Sequence, residues 1–164
     1  SQWTPSALAV GDANFTKTTP ANGGAGVAVD LVEKVFADPC HTKGGPTKPP
    51  STVDGIVAAL TNMVGFSAGP VTDAVIGGRP AKTLVLTNAI DTTTANCTGG
   101  PMLPLWTFRG GPASGAATNG GLREELWVLD VNGTIVVIDG NSSATTSSAD
   151  RLEIETIVGS MSFE

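Results

Sequence analysis

Hydrophobic and polar positions are most regularly arranged in LREELWVLDVNGTIVVIDG, where two β-rich runs meet at Asn132-Gly133. Asn-Gly is the preferred dipeptide of the two-residue type I′ turn, so the runs predict a β-hairpin. The expected opposite pairs are Val131 with Thr134, Leu129 with Val136, and Trp127 with Ile138. The other face carries Leu126, Val128, Ile135 and Val137. Because both faces are apolar, we expect the hairpin to lie inside a sheet that is covered on both sides.

Two segments have the spacing of amphipathic helices. In STVDGIVAALTNM the apolar residues recur on one face, and Ser51 with Asp54 three residues later predicts the N-terminal cap. A second helix is expected from Ala149 to about Ser160, with Ser147 or Ser148 as its cap.

Three further regions predict strands. The alternation in GVAVDLVEKVFADPC predicts one strand that begins at Gly26 and ends at the first cysteine. VTDAVI and RPAKTLVLT flank Gly77-Gly78 and predict a second hairpin, whose second strand is expected from Ala81 because Pro80 cannot donate to the ladder. MLPLWTF predicts another strand, and RGGPASGAATNGG predicts the most mobile loop.

These elements predict an α+β fold in one domain. We expect a central antiparallel β-sheet flanked by two helices, with roughly six strands and one disulfide. Residues 1–25 are expected to form an extended N-terminal segment, and residues 26–164 the α+β sandwich domain.

Composition and charge narrow the choice of partners. The chain has 164 residues, of which 15% are charged, and a formal net charge of -6. A net negative charge repels nucleic acid and anionic surfaces, so nucleic-acid binding is not expected. No apolar run has the length of a membrane span, and no span is expected. The oligomeric state is expected to be a monomer or a weak homodimer.

Cys40 and Cys97 are the two cysteines of the chain, and both lie in polar, turn-rich segments. This placement predicts a disulfide, and disulfides persist in oxidising compartments. The alternative is a pair of buried thiols in a cytosolic protein. The opening SQWTPSALAVGD is typical of an export product whose signal peptide has been removed. We therefore expect a protein that is secreted or anchored at the cell surface.

The segments ELWVLDVNGTIVVIDG and SSADRLEIETIVGSM, together with FADPC and VIGGRPAKTLVL, resemble small secreted or lipid-anchored actinobacterial proteins of unassigned function. The order of elements also resembles the α-β-α sandwich of the photosystem extrinsic protein P (PsbP-like) family. That resemblance implies a binding or assembly protein without catalytic activity. The single disulfide and the low charge depart from the family pattern.

Few residues suggest catalysis or metal binding. His41 is the one histidine of the chain and lies in a Gly/Pro loop, without a serine nucleophile of the G-x-S-x-G type. One histidine and two paired cysteines cannot supply a zinc site, and the DVNGT segment at Asp130 lacks EF-hand spacing. We expect no metal and no cofactor.

Two pairs of carboxylates occur close together in the sequence, Glu124 with Glu125 and Glu153 with Glu155. Neighbours in a strand point to opposite faces, and helix residues two apart do not face each other. Neither pair is placed for acid-base catalysis, so both are expected on the solvated surface.

The one candidate contact for a ligand or partner is formed by Trp106, Arg109 and Arg123, which flank the predicted mobile loop. Tryptophan and arginine dominate binding energies at interfaces. The alternative, which we favour for Trp106, is that the indole packs in the core or against the disulfide.

The sequence therefore predicts an exported, non-catalytic binding or assembly domain for an unknown protein or small molecule at the cell envelope. One alternative is a cell-envelope hydrolase with an acidic pair brought together by folding, which requires a deep pocket holding carboxyl groups with raised pKa values. The other is a structural ectodomain of an anchored protein.

Overall fold

The computed structural model describes residues 3–5, 12–17, 24–91, 96–98, 102–109, 113–117 and 122–163. Within these ranges the chain forms two helices and eleven strands. The strands are β1 Thr4–Pro5, β2 Asp12–Lys17, β3 Ala25–Asp30, β4 Val32–Val35, β5 Phe66–Ala68, β6 Thr72–Ile76, β7 Arg79–Asn88, β8 Met102–Phe108, β9 Ala113–Ala117, β10 Arg123–Val131 and β11 Thr134–Ser142. The helices are α1 Val53–Thr61 and α2 Ser148–Gly159.

All strand pairs in this part of the chain are antiparallel and form two sheets. The main sheet has the order β1-β2-β3-β11-β10-β7-β5, and β6 also pairs with β7. The second sheet has the order β4-β8-β9. The predicted α+β class with an antiparallel sheet and one disulfide is thus confirmed, although the fold is mainly β.

The hairpin at Asn132-Gly133 is confirmed with its register. Strands β10 and β11 pair from Val131 with Thr134 outward, and the three predicted opposite pairs are all formed. Asn132 has φ 54° and Gly133 has φ 84°, as a type I′ turn requires. Asp130 Oδ1 accepts a hydrogen bond from the Gly133 amide at 2.6 Å and closes the turn.

We expect Gly133→Val to lower the free energy of unfolding by more than about 1 kcal/mol, because a β-branched residue resists positive φ. No atom lies within 4 Å of the position that a Cβ would take, so the cost is conformational and not steric. Urea denaturation measures it, with Thr134→Val as a control at a neighbouring strand position. Equal stability of the two variants would mean that the turn is not of this type.

The strand predicted from Gly26 to the first cysteine is wrong as a single element. It is divided into β3, in the main sheet, and β4, in the second sheet. The chain changes sheets at Leu31, so Asp30 is the last residue of β3. Alternation alone does not reveal this change, because both strands keep an apolar face buried.

Other predicted boundaries are also corrected. Strand β7 begins at Arg79, and Pro80 pairs with Val75. The pairing of β7 with β10 ends at Ala81. Pro80 lies outside that pairing, so its missing N–H removes no hydrogen bond between β7 and β10. Part of the predicted mobile loop is strand β9, which pairs with β8. Residues 110–112 and 118–121 of that loop lie outside the described residues.

Helix α1 begins one residue later than predicted. The cap is Thr52, whose Oγ1 accepts a hydrogen bond from the Gly55 amide at 3.0 Å, and not Ser51. A Cβ at Gly55 would lie 2.5 Å from the Pro50 carbonyl oxygen. The glycine therefore allows the proline segment to pack on the first turn. Helix α2 is capped by Ser147, one of the two predicted caps.

The two helices lie on opposite faces of the main sheet. On one face, α1 and the second sheet bury an apolar core that includes Leu60, Leu86 and Leu126. On the other face, α2 packs through Ile154 and Val158 onto Trp127 and neighbouring side chains. Neither helix of the described part is long and apolar enough to cross a membrane.

The N-terminal strands are part of the main sheet. Strand β2 pairs with β3 along its whole length, so the described part of the predicted extended segment is the edge of this sheet. Lys17 is buried, and its Nζ lies 2.7 Å from both Asp150 Oδ1 and Glu153 Oε2 in helix α2. The Trp3 indole also donates a hydrogen bond to Glu153. These contacts connect the segment to α2.

The predicted disulfide between Cys40 and Cys97 is confirmed, with Cα atoms 4.5 Å apart. It joins the loop after β4 to the connection between β7 and β8. The Cys40 carbonyl also accepts hydrogen bonds from the Thr98 amide at 2.9 Å and the Thr98 hydroxyl at 3.2 Å. A disulfide is compatible with an extracytoplasmic location.

Candidate functional site: a buried carboxyl cluster and two clefts

Three carboxyl groups, which we call the carboxyl cluster, lie on one face of the main sheet. They belong to Asp30 of β3, Glu124 of β10 and Asp139 of β11. Asp139 pairs with Leu126 on one side and with Ala28 on the other. Because directly opposite residues share a face and residues two apart in a strand do too, the three carboxyl groups point to the same side. This is the side covered by α1 and the second sheet.

The cluster is removed from solvent. The exposed fractions of Asp30, Glu124 and Asp139 are 1%, 2% and 6%. The Trp106 indole of β8 donates a buried hydrogen bond of 2.9 Å to Asp30 Oδ2. The Glu124 and Asp139 carboxyl groups lie close enough to interact with each other, and each affects the pKa of the other or is affected by it. Glu124 Oε2 and Asp139 Oδ1 are buried without a hydrogen-bond partner among the described residues.

Burial and mutual repulsion shift the titration of this pair. Burial raises the pKa of Glu124 to about 7, and the negative charge of Asp30 acts in the same direction. Burial also raises the pKa of Asp139 well above its usual range, and the Glu124 charge and hydrogen bond add to this. At neutral pH the buried pair therefore retains more protons than two solvent-exposed carboxyl groups would.

The cluster was missed at the sequence level. Glu124 was expected on the solvated surface with Glu125, and that expectation is wrong. The two residues do point to opposite faces, but the face of Glu124 is the buried one that also carries Leu126 and Val128. The alternation of β10 carries the missing signal. Glu124 lies two positions from Leu126 and opposite Asn141, so it shares the buried face of Leu126.

An accessible concavity, which we call the polar cleft, lies at the start of β4. It has a volume of about 140 Å³. The lining residues are Val32, Glu33, Lys48, Pro49, Ser51, Ile56, Arg109, Gly133 and Ile135. They come from β4, the proline-rich loop, α1, the end of β8 and the β10–β11 turn. The polar cleft is thus built where both sheets and α1 meet.

The charged residues of the polar cleft are Glu33, Lys48 and Arg109. Among the described residues, neither cation forms an ion pair with a carboxylate. Both side chains belong to exposed residues. The cleft therefore offers two cations and one carboxylate to whatever enters it, in a protein whose net charge is negative.

A second concavity, the apolar cleft, adjoins the polar cleft. It has a volume of about 320 Å³. The lining residues are Val35, Ala37, Thr47, Pro49, Pro50, Gly55, Ala58, Ala59 and Asn62, none of which is charged. Pro49 lines both clefts. The two clefts are therefore neighbours, both lined by the proline-rich loop and the first part of α1.

The structure does not bring together the three residues predicted to contact a ligand. Trp106 is fully buried in the core, as in the favoured alternative, and presents no surface to a ligand. Arg109 lines the polar cleft. Arg123 lies on the α2 side of the main sheet, where its guanidinium is 3.0 Å from Glu125 Oε2. Of the three, Arg109 is the residue that the structure places at an accessible concavity.

The remaining candidates do not form a catalytic or metal site in the described part of the chain. His41 is exposed, and its Nδ1 lies 3.1 Å from Asp38 Oδ2. Asp38 also accepts hydrogen bonds from the Cys40 and His41 amides, so this contact belongs to the turn beside the disulfide. Within the described ranges, no group of three His, Cys, Asp or Glu side chains is arranged to hold a metal ion.

Comparison with known proteins adds no further assignment: no protein-family model matches the chain, and no curated protein matches it. The resemblance to the PsbP-like family accordingly stays a prediction.

Proposed function

We propose that the protein is an exported, non-catalytic binding domain whose ligand occupies the polar cleft. The observation that carries the proposal is the presence of Lys48 and Arg109 in one concavity, with neither committed to a described ion pair. Cations without a protein partner, placed in a concave site, are available to bind an anionic group. The disulfide supports the exported location.

The carboxyl cluster favours a second candidate, a cell-envelope hydrolase. Carboxyl groups with separated, raised pKa values are typical of acid-base catalysts. A catalyst also needs substrate and water at the carboxyl groups, whereas neither the polar nor the apolar cleft is lined by Asp30, Glu124 or Asp139. A core role for the cluster therefore agrees better with its burial, and we propose binding in preference to catalysis.

A third candidate, the structural ectodomain, predicts no specific ligand. A small molecule that stabilises the folded state through one defined site would favour the binding domain over the structural ectodomain.

The proposal predicts that at least one small anion binds and that Lys48 and Arg109 are required. The measurement is a thermal-shift screen, checked by native mass spectrometry, with inorganic phosphate, sugar phosphates, muropeptides and medium-chain carboxylates. We expect a concentration-dependent rise in melting temperature for the wild type and its loss in Lys48→Gln/Arg109→Gln.

The matched control is Lys34→Gln/Lys43→Gln, which removes the same charge at exposed positions that line neither cleft. It is expected to respond as the wild type does. If no anion stabilises the wild type, or if Lys48→Gln/Arg109→Gln responds equally, the proposed function is wrong.

A further inference from the structure

We infer that the ligand is a single-chain amphiphile with an anionic head, bound with its head in the polar cleft and its chain in the apolar cleft. This inference rests on the proposed function and names the chemical class of the ligand. It follows from three properties of the two clefts: their adjacency, their contrast in polarity and their size.

The two clefts are adjacent because neighbouring residues of the chain line them. Pro49 lines both clefts, and it lies between Lys48 of the polar cleft and Pro50 of the apolar cleft. Two consecutive residues of helix α1 also line different clefts: Gly55 lines the apolar cleft, and Ile56 lines the polar cleft. The inferred ligand spans Pro49, the shared residue, with its head on the Lys48 side and its chain on the Pro50 side.

The contrast in polarity between the two clefts indicates the chemistry of the two ends of the ligand. The apolar cleft is lined chiefly by proline, alanine and valine side chains and contains no charged residue. Burial of a hydrocarbon chain there is favourable in proportion to the apolar area removed from water. In the polar cleft the two cations outnumber Glu33, so charge complementarity favours an anionic head over a cationic one.

The size and the overall charge favour a free molecule over a membrane. A volume of about 320 Å³ is at the lower end of the range of small-molecule sites, about 300–1,000 Å³, and suits one short chain. The formal net charge of -6 repels an anionic bilayer. We therefore commit to a soluble medium-chain carboxylate as the representative ligand.

The test is isothermal titration of the full chain with sodium decanoate. Acetate, which lacks the chain, and decyltrimethylammonium, which has the opposite head charge, are the probes that separate the two clefts. We expect decanoate to bind at least tenfold more tightly than either. Equal binding of decyltrimethylammonium would overturn the assignment of the head, and equal binding of acetate would overturn that of the chain.

Variants locate the two ends of the ligand. Ala58→Trp fills the apolar cleft from an exposed position of α1, and Ala149→Trp places the same side chain at an exposed position of α2. We expect at least a tenfold loss of decanoate affinity in Ala58→Trp and none in Ala149→Trp. Thr47→Trp is a second variant that fills the same cleft, should Ala58→Trp fail to fold. Unchanged affinity in a folded, cleft-filling variant would overturn the inference.

The outcome is distinguishable from that of the proposed function. If decanoate does not bind but another anion binds in a manner that needs Lys48 and Arg109, the amphiphile inference fails and the binding function stands. If no anion binds, both fail. Phosphatidylglycerol vesicles are the last arm: association with vesicles without binding of monomeric decanoate would overturn the choice of a free molecule.

Discussion

Raising the pH from about 5 to about 8 is expected to lower the free energy of unfolding by at least about 2 kcal/mol, since one pKa unit corresponds to about 1.4 kcal/mol. The cause is the carboxyl cluster. Burial raises the pKa of Glu124 from 4.5 to about 7 and that of Asp139 well above 3.8. The folded protein therefore binds more protons than the unfolded chain in this interval, and its stability falls as the pH rises.

The direction of the pH dependence of stability distinguishes the carboxyl cluster from the ion pairs of the N-terminal segment. Hydrogen bonds to Lys17 lower the pKa values of Asp150 and Glu153, so their contribution is lost only as the pH falls below the usual range of carboxylates. Above about pH 5 both are ionised in the folded and unfolded states. The loss of stability toward higher pH is thus specific to groups whose pKa is raised.

The measurement is chemical denaturation at several pH values for the wild type and for Glu124→Gln/Asp139→Asn. The amides keep the shape of the side chains and cannot ionise, so the double variant is expected to lose the part of the pH dependence that the cluster causes. Burial also raises the pKa of Glu125, which leaves a residual slope of the same sign. Asp54→Asn, at an exposed position of α1, is the control that keeps the wild-type slope. A wild-type stability that is flat or rises between about pH 5 and pH 8 would contradict the account of the cluster.

Reduction of the Cys40–Cys97 disulfide is expected to lower the free energy of unfolding by about 4 kcal/mol, the chain-entropy value for a loop closed by cysteines 57 positions apart. For a domain of this size, the loss corresponds to a fall in melting temperature of roughly 8–16 °C. The cross-link restricts the unfolded chain, since it joins segments that are distant in sequence. Calorimetry with and without dithiothreitol measures the change.

The control for reduction is Cys40→Ala/Cys97→Ala, which is expected to melt near the reduced wild type and not to respond to dithiothreitol. The Thr98 hydrogen bonds to the Cys40 carbonyl remain in both forms. They keep the two loops together in the folded state but do not restrict the unfolded chain. An unchanged melting temperature on reduction would mean that the bond contributes little to stability.

Local patterns predicted most of the elements of this fold. The Asn132-Gly133 hairpin, helix α2 and the disulfide follow from residues close in sequence or from a residue type with one dominant role. The division at Leu31 and the pairing of β9 did not follow, because both depend on which sheet a strand joins. Such choices are decided by contacts between distant segments, which alternation along one strand does not encode.

The candidate site was less predictable than the fold. Arg109 was singled out beside Trp106, but the two point into different environments, a cleft and the core. The carboxyl cluster needs three strands in register, and the polar cleft needs both sheets and α1 in place. Lys48 carried no signal of its own, because a single lysine in a proline-rich loop is ordinarily a solvated side chain.

The most direct test of the inferred amphiphile site is a titration of ¹⁵N-labelled protein with sodium decanoate, followed by NMR. The account predicts that the perturbed amides lie around the two clefts, in β4, residues 47–59 and Arg109, while those beside Glu124 and Asp139 stay unchanged. Perturbations centred on Glu124 and Asp139 would contradict it and place ligand chemistry at the carboxyl cluster. The absence of any localised change at saturating decanoate would contradict it as well.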